Sequence, residues 1–299
     1  MPYSIEQSER ISQAIPRIVT ELLDIARAQL LDEKEPSAER IHNARKRFKE
    51  SRAVVRLVRF SLDDFDIENA WFRDAGRDLA ALRDADALVE AVDSLALIAE
   101  GYHERRLLRR LRRRLLNAQR RATADDLGGR IESTVQQLAI ARARVSAWPV
   151  SNDDFETIGE GLRRTYRDGR RALKTALGEP GPEAFHDFRK RVKDHWYHAQ
   201  ILRDIWPEFM KSYRDQMEEL SDLLGDRHDL DVLGQSIVAG TRFGTAFEIE
   251  VLHRLIDERI AELSARAMEI AKRIYTESPD AIHDRFKRYW KVWRAVEDA

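Results

Sequence analysis

The chain has 299 residues, which is enough for one large domain or for two of about 150 residues each. Glycine (13) and proline (8) are scarce and 35% of the residues are charged, so we expect an almost entirely helical protein. The 52 basic and 53 acidic residues leave a formal net charge of −1, which argues against a generally basic, nucleic-acid-binding surface and favours positive charge confined to one site. The absence of cysteine excludes disulfides and thiolate metal sites.

The N-terminal residues lack the basic and then apolar pattern of a secretory signal, and no stretch approaches 18 consecutive apolar residues. We therefore expect a soluble cytoplasmic protein that does not interact with membranes. The sequence leaves the oligomeric state open.

Four helices are predicted before the midpoint of the chain. Clusters of Pro, Gly, Ser and Asp separate segments in which apolar residues recur every three or four positions. These segments are about Ile5–Leu30, Ile41–Arg59, a stretch that contains Phe72 and Leu88, and Ser94–Ala122.

The Trp148–Asn152 stretch at the midpoint divides the chain into two halves, residues 1–147 and 148–299. The second half predicts four helices in the same order and then a fifth, outside the repeat. They are Phe155–Leu177, Phe185–Arg203, a stretch that contains Tyr213 and Leu233, Ala246–Glu277, and Ile282–Val296. Because short connections favour antiparallel neighbours, each half is interpreted as a four-helix bundle.

The strongest sequence feature is a cationic helix that occurs twice, 144 positions apart. His-x-x-Arg-Lys-Arg-x-Lys is identical in Ile41–Arg59 and Phe185–Arg203, and shorter matches follow in each half. A repeat of this length predicts two similar halves that can bring two positive stripes together, and hence a partner rich in negative charge.

Each copy has an apolar face and, about 100° round the helix, a basic stripe. The apolar face is predicted to be Ile41, Ala44, Phe48, Val55 and Val58 in the first copy, and Phe185, Phe188, Val192, Ala199 and Leu202 in the second. The basic stripes comprise His42, Arg45, Lys49, Arg52, Arg56 and Arg59, and His186, Arg189, Lys193 and Arg203. Such stripes border the packed face, so we expect them to line a groove or channel.

Like charges at i,i+3 and i,i+4 repel one another, and a bound anion would relieve that repulsion. The helix before the second copy adds further cations on one face, at Arg163, Arg167, Arg170 and Lys174. The densest basic run, Arg105–Arg114, is not repeated, so it is interpreted as peripheral: a secondary anion patch or a solvated surface.

Two other patterns have chemical alternatives. Glu39-x-x-His42, Glu183-x-x-His186 and Glu250-x-x-His253 have the spacing of di-iron carboxylate helices, but the nearby arginines oppose a dication, so no metal or other cofactor is expected. Asp84, Asp86, Asp229 and Asp231 form paired carboxylates that suit Mg²⁺, although helix capping or arginine pairing explains them better.

The doubled motif, with its Phe-His-Asp-Phe-Arg-Lys-Arg-Val-Lys form in the second half, resembles the CHAD family (conserved histidine α-helical domain). The segments Gly-Leu-Arg-Arg-Thr-Tyr-Arg-Asp-Gly-Arg-Arg-Ala and His-Asp-Leu-Asp-Val-Leu are also similar to that family. The resemblance covers nearly the whole chain. It implies an all-α fold of two four-helix bundles related by a pseudo-two-fold axis, with a central basic channel that binds inorganic polyphosphate.

The ligands implied by the resemblance follow the motif positions. They are His42, Arg45, Lys46, Lys49 and Arg52, with His186, Arg189, Lys190 and Lys193. The second copy departs from the pattern at Trp196 and Gln200, which stand at the positions of Arg52 and Arg56. The Glu-x-Glu-x-Lys pattern of the triphosphatase domain found in many relatives is missing.

The sequence thus predicts a polyphosphate-binding protein without catalysis of its own. Two alternatives stay open: an RNA-binding protein that uses the same cations, and a phosphohydrolase that uses the Asp pairs with Mg²⁺. An association with polyphosphate granules also stays open.

Overall fold

The computed structural model describes residues 3–79, 84–122, 127–150, 152–239 and 244–295, without the side chains of residues 84–86, 118–122, 127–128 and 238–239. Within these ranges the chain forms eleven α-helices and no strand, which confirms the all-α prediction. The helices are α1 (Ile11–Leu31), α2 (Ser37–Leu57), α3 (Phe65–Asp78), α4 (Asp84–Ala96), α5 (Tyr102–Ala122), α6 (Leu127–Val145), α7 (Glu156–Gly178), α8 (Pro182–Ile201), α9 (Pro207–Ala239), α10 (Ala246–Ile274) and α11 (Pro279–Ala295).

The two cationic helices are α2 and α8, and their predicted apolar faces are confirmed. All ten residues assigned to these faces are buried. Apolar residues three and four positions apart form one stripe, and the burial of this stripe holds each helix against its neighbours. The many arginines and lysines of these helices do not stabilise packing by themselves. The basic stripes therefore lie at the edge of the packed core.

The first half contains six described helices where four were expected. The stretch with Phe72 and Leu88 is divided between α3 and α4, and the predicted Ser94–Ala122 helix begins only at Tyr102. The Glu104 carboxylate accepts the backbone N–H groups of Glu100 (3.1 Å) and Gly101 (3.0 Å), so it caps the start of α5 after the turn.

Helix α6 was not among the expected elements. It packs against α1, and α11 packs against α7. The helix placed outside the repeat at the C-terminus therefore contacts the first helix of its half, as α6 contacts the first helix of the other half.

The two halves share one core. Helix α4, from the first half, packs against α9 and α10 of the second half, and α2 packs against both α7 and α8. One contiguous cluster of buried apolar residues runs through helices of both halves. Within the described residues, no helix is both long enough and apolar enough to cross a bilayer.

A close helix crossing fixes where α2 lies. A Cβ atom on Gly161 of α7 would lie 1.9 Å from the carbonyl oxygen of Leu57 and 2.7 Å from that of Arg56. Only glycine permits this approach of the two backbones. The crossing places the C-terminal turn of α2, with its basic stripe, directly against the second half of the chain.

Candidate functional site

The two cationic helices meet, and a cleft of about 460 Å³ lies between them. Seven of the predicted site residues line this cleft: Arg45, Lys49, Arg52 and Arg56 from α2, and Arg189, Lys190 and Lys193 from α8. Cations from both copies of the repeated motif therefore face the same space, as the repeat predicts.

The cleft is strongly positive. Ten basic side chains line it, against two acidic ones, Asp187 and Asp194. The remaining cations are Arg73 and Arg77 of α3 and Arg191 of α8. A protein with a formal net charge of −1 thus holds a formal excess of eight positive charges around one small volume.

Hydrogen bonds to α3 orient the arginines of α2. Arg45 Nη1 donates to the carbonyl of Gly76 at 2.8 Å, and Arg52 Nε donates to Asn69 Oδ1 at 2.9 Å. Each of these bonds uses one of the five guanidinium N–H groups, and the side chains remain placed along the cleft wall. The cations are therefore positioned before any anion binds.

An ion pair joins the two cationic helices directly. The Arg56 guanidinium of α2 donates to the Asp194 carboxylate of α8, and Arg191 lies 3.9 Å from the same carboxylate. Lys190 pairs with Asp187 at 3.0 Å. The two acidic residues of the cleft lining therefore offset part of its positive charge.

The crowding of cations is visible in the pKa of Arg52. Burial lowers the pKa of this guanidinium to about 10, and the positive charges of Arg56, Arg73 and Arg77 act in the same direction. Arg52 is still charged at neutral pH. A bound anion would raise this pKa again, so the charged state of Arg52 and anion binding favour each other.

A histidine pair lies beside the cleft. The rings of His186 of α8 and His228 of α9 stack with centroids 4.4 Å apart and planes at 26°. Burial, with the charges of Lys190 and Arg189, lowers the pKa of His186, and burial, with Arg189, lowers the pKa of His228 to about 4. Both shifts favour the neutral imidazole at pH 7.

A family profile described as the CHAD domain matches residues 17–238 of this chain. The chain belongs to the CHAD family. The crystal structure of the CHAD domain from the plant Ricinus communis has a similar fold, with a TM-score of 0.58 and 15% sequence identity over 92% of this chain and 95% of that one. A comparison with curated protein sequences finds no match. The resemblance seen in the sequence is thereby confirmed at the level of family and fold.

Four other predicted site residues of the CHAD chain lie on α7, away from the cleft lining. Arg163 pairs with Glu160 at 2.7 Å and with Asp280 at 3.0 Å. Arg167, Arg170 and Lys174 line a separate cavity of about 490 Å³. The sequence placed these four cations and the stripes of α2 and α8 in one channel, whereas the structure brings three of them together on a second surface.

The other predicted site residues have different surroundings. Arg203, in a 3₁₀ turn after α8, donates to the carbonyl of Tyr3 at 2.6 Å and to Ser4 Oγ at 2.9 Å, so it holds the N-terminal segment. His42 and Lys46 are exposed on α2 outside the cleft lining.

Three cleft cations were missed by sequence reasoning. Arg73 belongs to one of the shorter matches between the halves, Phe72-Arg73-Asp74 with Tyr213-Arg214-Asp215. This match supports the repeat but does not predict that Arg73 lies at the cleft, and Arg77 follows one turn later. Arg191 is part of the repeated motif, but it lies on a different face from Arg189. Its counterpart Arg47 pairs with the buried Glu50 at 2.6 Å, so identical motif positions have different surroundings in the two copies.

Neither the Asp pairs nor the Glu-x-x-His motifs contribute to the one group of three metal-type ligands among the described residues. Asp231 pairs with Arg227 at 2.7 Å, and both side chains are buried, while the side chains of Asp84 and Asp86 lie outside the described residues. The described residues bring together one group of three ligand-type side chains, Glu156, Glu160 and His283. No Glu-x-x-His motif contributes to this group, and Lys287 and Arg163 pair with its two carboxylates.

Proposed function

We propose that this CHAD chain binds inorganic polyphosphate in the cleft between α2 and α8, without turning it over. The observation that carries the proposal is the set of ten cations, drawn from both copies of one motif, around a cavity with two acidic residues. A linear anion with a charge on every repeating unit matches such a cleft better than a single small anion does.

The residue types support a phosphate ligand. Arginine presents a planar fork that binds phosphate oxygens in pairs, and lysine contributes a mobile point charge. The cleft has both kinds of side chain on each cationic helix, and hydrogen bonds to α3 already orient Arg45 and Arg52. Preorganised donors lose little entropy when the anion binds.

The cleft is less suited to RNA. Single-stranded nucleic acids gain much of their binding energy from bases that stack on aromatic rings. The aromatic residues that line the cleft are Phe48, Phe72 and Tyr197, and they are only 1%, 1% and 4% exposed. Their rings are packed in the floor, so a base has no ring face on which to stack.

The test compares long-chain polyphosphate with RNA at equal charge concentration and equal salt. The variant is Lys49→Gln/Lys193→Gln, which removes one cation from the equivalent position of each motif. Polyphosphate affinity should fall by at least tenfold, and the slope of log affinity against log salt should decrease by roughly 1.4, about 0.7 for each lost phosphate contact.

The matched control is Arg106→Gln/Arg113→Gln, which removes two charges from exposed positions on α5. Its affinity for polyphosphate should stay within about twofold of that of the unchanged protein, because these arginines lie outside the cleft. Equal affinity for RNA and polyphosphate, or equal losses in the two variants, would contradict a specific polyphosphate site.

Binding without turnover has its own measurement. Incubation of the protein with polyphosphate and Mg²⁺ should release no inorganic phosphate above the level of a heat-denatured sample. Metal-dependent release that disappears in Asp231→Asn would instead support the phosphohydrolase alternative.

A further inference from the structure

A group of three metal-ligand side chains lies where α11 packs against α7. Glu156 and Glu160 are one turn apart on α7, and His283 belongs to α11. One ligand atom from each of the three side chains lies within 4.8 Å of the other two. None of the three lines the basic cleft, and His283 lies beyond residues 17–238, which the CHAD profile matches. The group is therefore a feature of this chain that is separate from the anion-binding cleft.

A glycine lets the imidazole of His283 approach the backbone of α7. A Cβ atom on Gly159 would lie 2.8 Å from Nε2 of His283 and 2.6 Å from the Phe155 ring. Real Cβ atoms essentially never come this close to a neighbour, so alanine at this position would displace the imidazole. His283 is only 8% exposed, and its Nε2 atom lies 3.1 Å from Glu156 Oε2. The fold thus holds a buried nitrogen ligand against the carboxylates of α7.

The second ring nitrogen of His283 also faces a carboxylate. Its Nδ1 atom lies 3.3 Å from Asp284 Oδ1. A neutral imidazole carries one N–H group, so the lone pair of its other nitrogen faces a carboxylate oxygen and is repelled by it. A second proton or a metal ion at Nε2 would remove this repulsion while Nδ1–H donates to Asp284. A carboxylate behind the ring is a usual partner of a metal-binding histidine, because it fixes the tautomer and makes the ligand more basic.

The ion pairs around the group leave an excess of negative charge. Among the described residues, these pairs involve four carboxylates and two cations. Arg163 pairs with one glutamate of the group at 2.7 Å and with Asp280 at 3.0 Å. Lys287 pairs with the other glutamate, and the charges of Asp284 and Asp154 also act on it. A dication would therefore replace the two cations at the glutamates without leaving either of them unpaired.

We propose that Glu156, Glu160 and His283 bind a divalent transition-metal ion such as Zn²⁺, which joins α11 to α7. One imidazole nitrogen with two carboxylate oxygens suits Zn²⁺, whereas Mg²⁺ and Ca²⁺ take oxygen ligands. Three protein ligands leave a fourth position for water. Asp284 is a positioning residue, because it orients the imidazole without contacting the metal. The metal site does not depend on polyphosphate binding in the cleft.

The test is a calorimetric titration of the full chain with Zn²⁺ in the absence of polyphosphate. One Zn²⁺ ion should bind per chain, and Glu160→Gln and His283→Gln should each weaken binding by about tenfold or more. Glu160 is partly exposed, so its replacement removes a ligand without disturbing the core. Hydrogen exchange of the backbone in residues 279–295 should become slower when Zn²⁺ binds, because the metal stabilises the docked helix.

The role of Asp284 has its own pair of variants. Asp284→Ala should weaken Zn²⁺ binding by roughly tenfold, the effect of losing the partner of a metal-binding histidine. Asp284→Asn should keep most of the affinity, since its amide oxygen still accepts the Nδ1–H group. Equal losses in the two variants would contradict the positioning role.

The matched control is His103→Gln, which removes an exposed histidine of α5 that does not belong to the group. Its affinity for Zn²⁺ should stay within about twofold of that of the unchanged protein. The metal site is refuted if the chain binds no Zn²⁺, if Glu160→Gln and His283→Gln bind it as tightly as the unchanged protein, or if the control loses as much affinity. Displacement of Zn²⁺ by an equal concentration of Mg²⁺ would refute a transition-metal site.

Discussion

Replacement of Gly161 by alanine should destabilise the protein, although alanine is the better helix former. Gly161 lies within α7, where alanine in place of glycine normally stabilises a helix by about 1 kcal/mol. The added Cβ, however, would meet the Leu57 carbonyl oxygen at 1.9 Å, and real Cβ contacts essentially never fall below 3.0 Å. The obstacle is the backbone of α2, which cannot rotate away as a side chain does.

The magnitude follows from these opposing effects. Overpacking in a core costs about 1–3 kcal/mol, and a clash with the backbone of a neighbouring helix belongs at the upper end of that range. With the gain in helix propensity subtracted, we expect a net loss of about 2 kcal/mol in the free energy of unfolding. The shift of α2 should also displace Arg56 and weaken polyphosphate binding.

The matched control is Gly234→Ala in α9, where an added Cβ meets nothing within 4 Å. This substitution should stabilise the protein by about 0.5–1 kcal/mol. Urea unfolding of the two variants, with equal m values, should therefore give shifts of opposite sign in the midpoint. A Gly161→Ala protein that is as stable as the Gly234→Ala protein would refute the close crossing of α2 and α7.

Three further outcomes are expected. Glu68, whose side chain is only 2% exposed, pairs with Arg144 at 2.5 Å. Glu68→Gln should lower the free energy of unfolding by about 2 kcal/mol in urea titrations. The loss is smaller than for a fully buried pair because Arg144 is 36% exposed. Burial lowers the pKa of His198 to about 3, so the unfolded state takes up a proton at a higher pH than the folded state does. The free energy of unfolding should therefore fall as the pH drops from about 6.5 toward 3. In His198→Gln this fall in stability with pH should be shallower. Burial raises the pKa of Asp222, and the charge of Lys193 opposes that shift, which places this carboxyl beside the cleft. Asp222→Asn should therefore tighten polyphosphate binding severalfold in titrations at neutral pH. An unchanged affinity would contradict that placement.

The helices could be predicted because their sequence signals are local. The apolar residues of α2 recur at three- and four-residue intervals, and their burial is confirmed because any helix with that pattern must cover the same stripe. Helix α10 begins at Ala246 as predicted, and Thr245 and Glu248 form the capping box that fixes this start. The pattern failed near Ser94, where the turn that separates α4 from α5 contains apolar residues that continue the helical spacing.

The lining of the candidate cleft was predicted in part. The repeated motif identifies Arg45 and Arg189, because a doubled pattern of cations has no explanation in packing alone. It does not identify Arg77, which reaches the cleft only because α3 packs against α2. Nor does it distinguish Arg47 from Arg191, since the neighbours that decide their surroundings come from other elements of the chain.

The sequence by itself determined that the chain is helical, that it belongs with CHAD proteins, and that two of its helices carry matching basic stripes. These properties depend on spacing along single helices, which the order of residues sets directly. Only the tertiary structure decided which cations converge, because convergence depends on how closely two backbones approach. The crossing at Gly161 and the ion pair between Arg56 and Asp194 join residues more than 100 positions apart, and no local pattern encodes either contact.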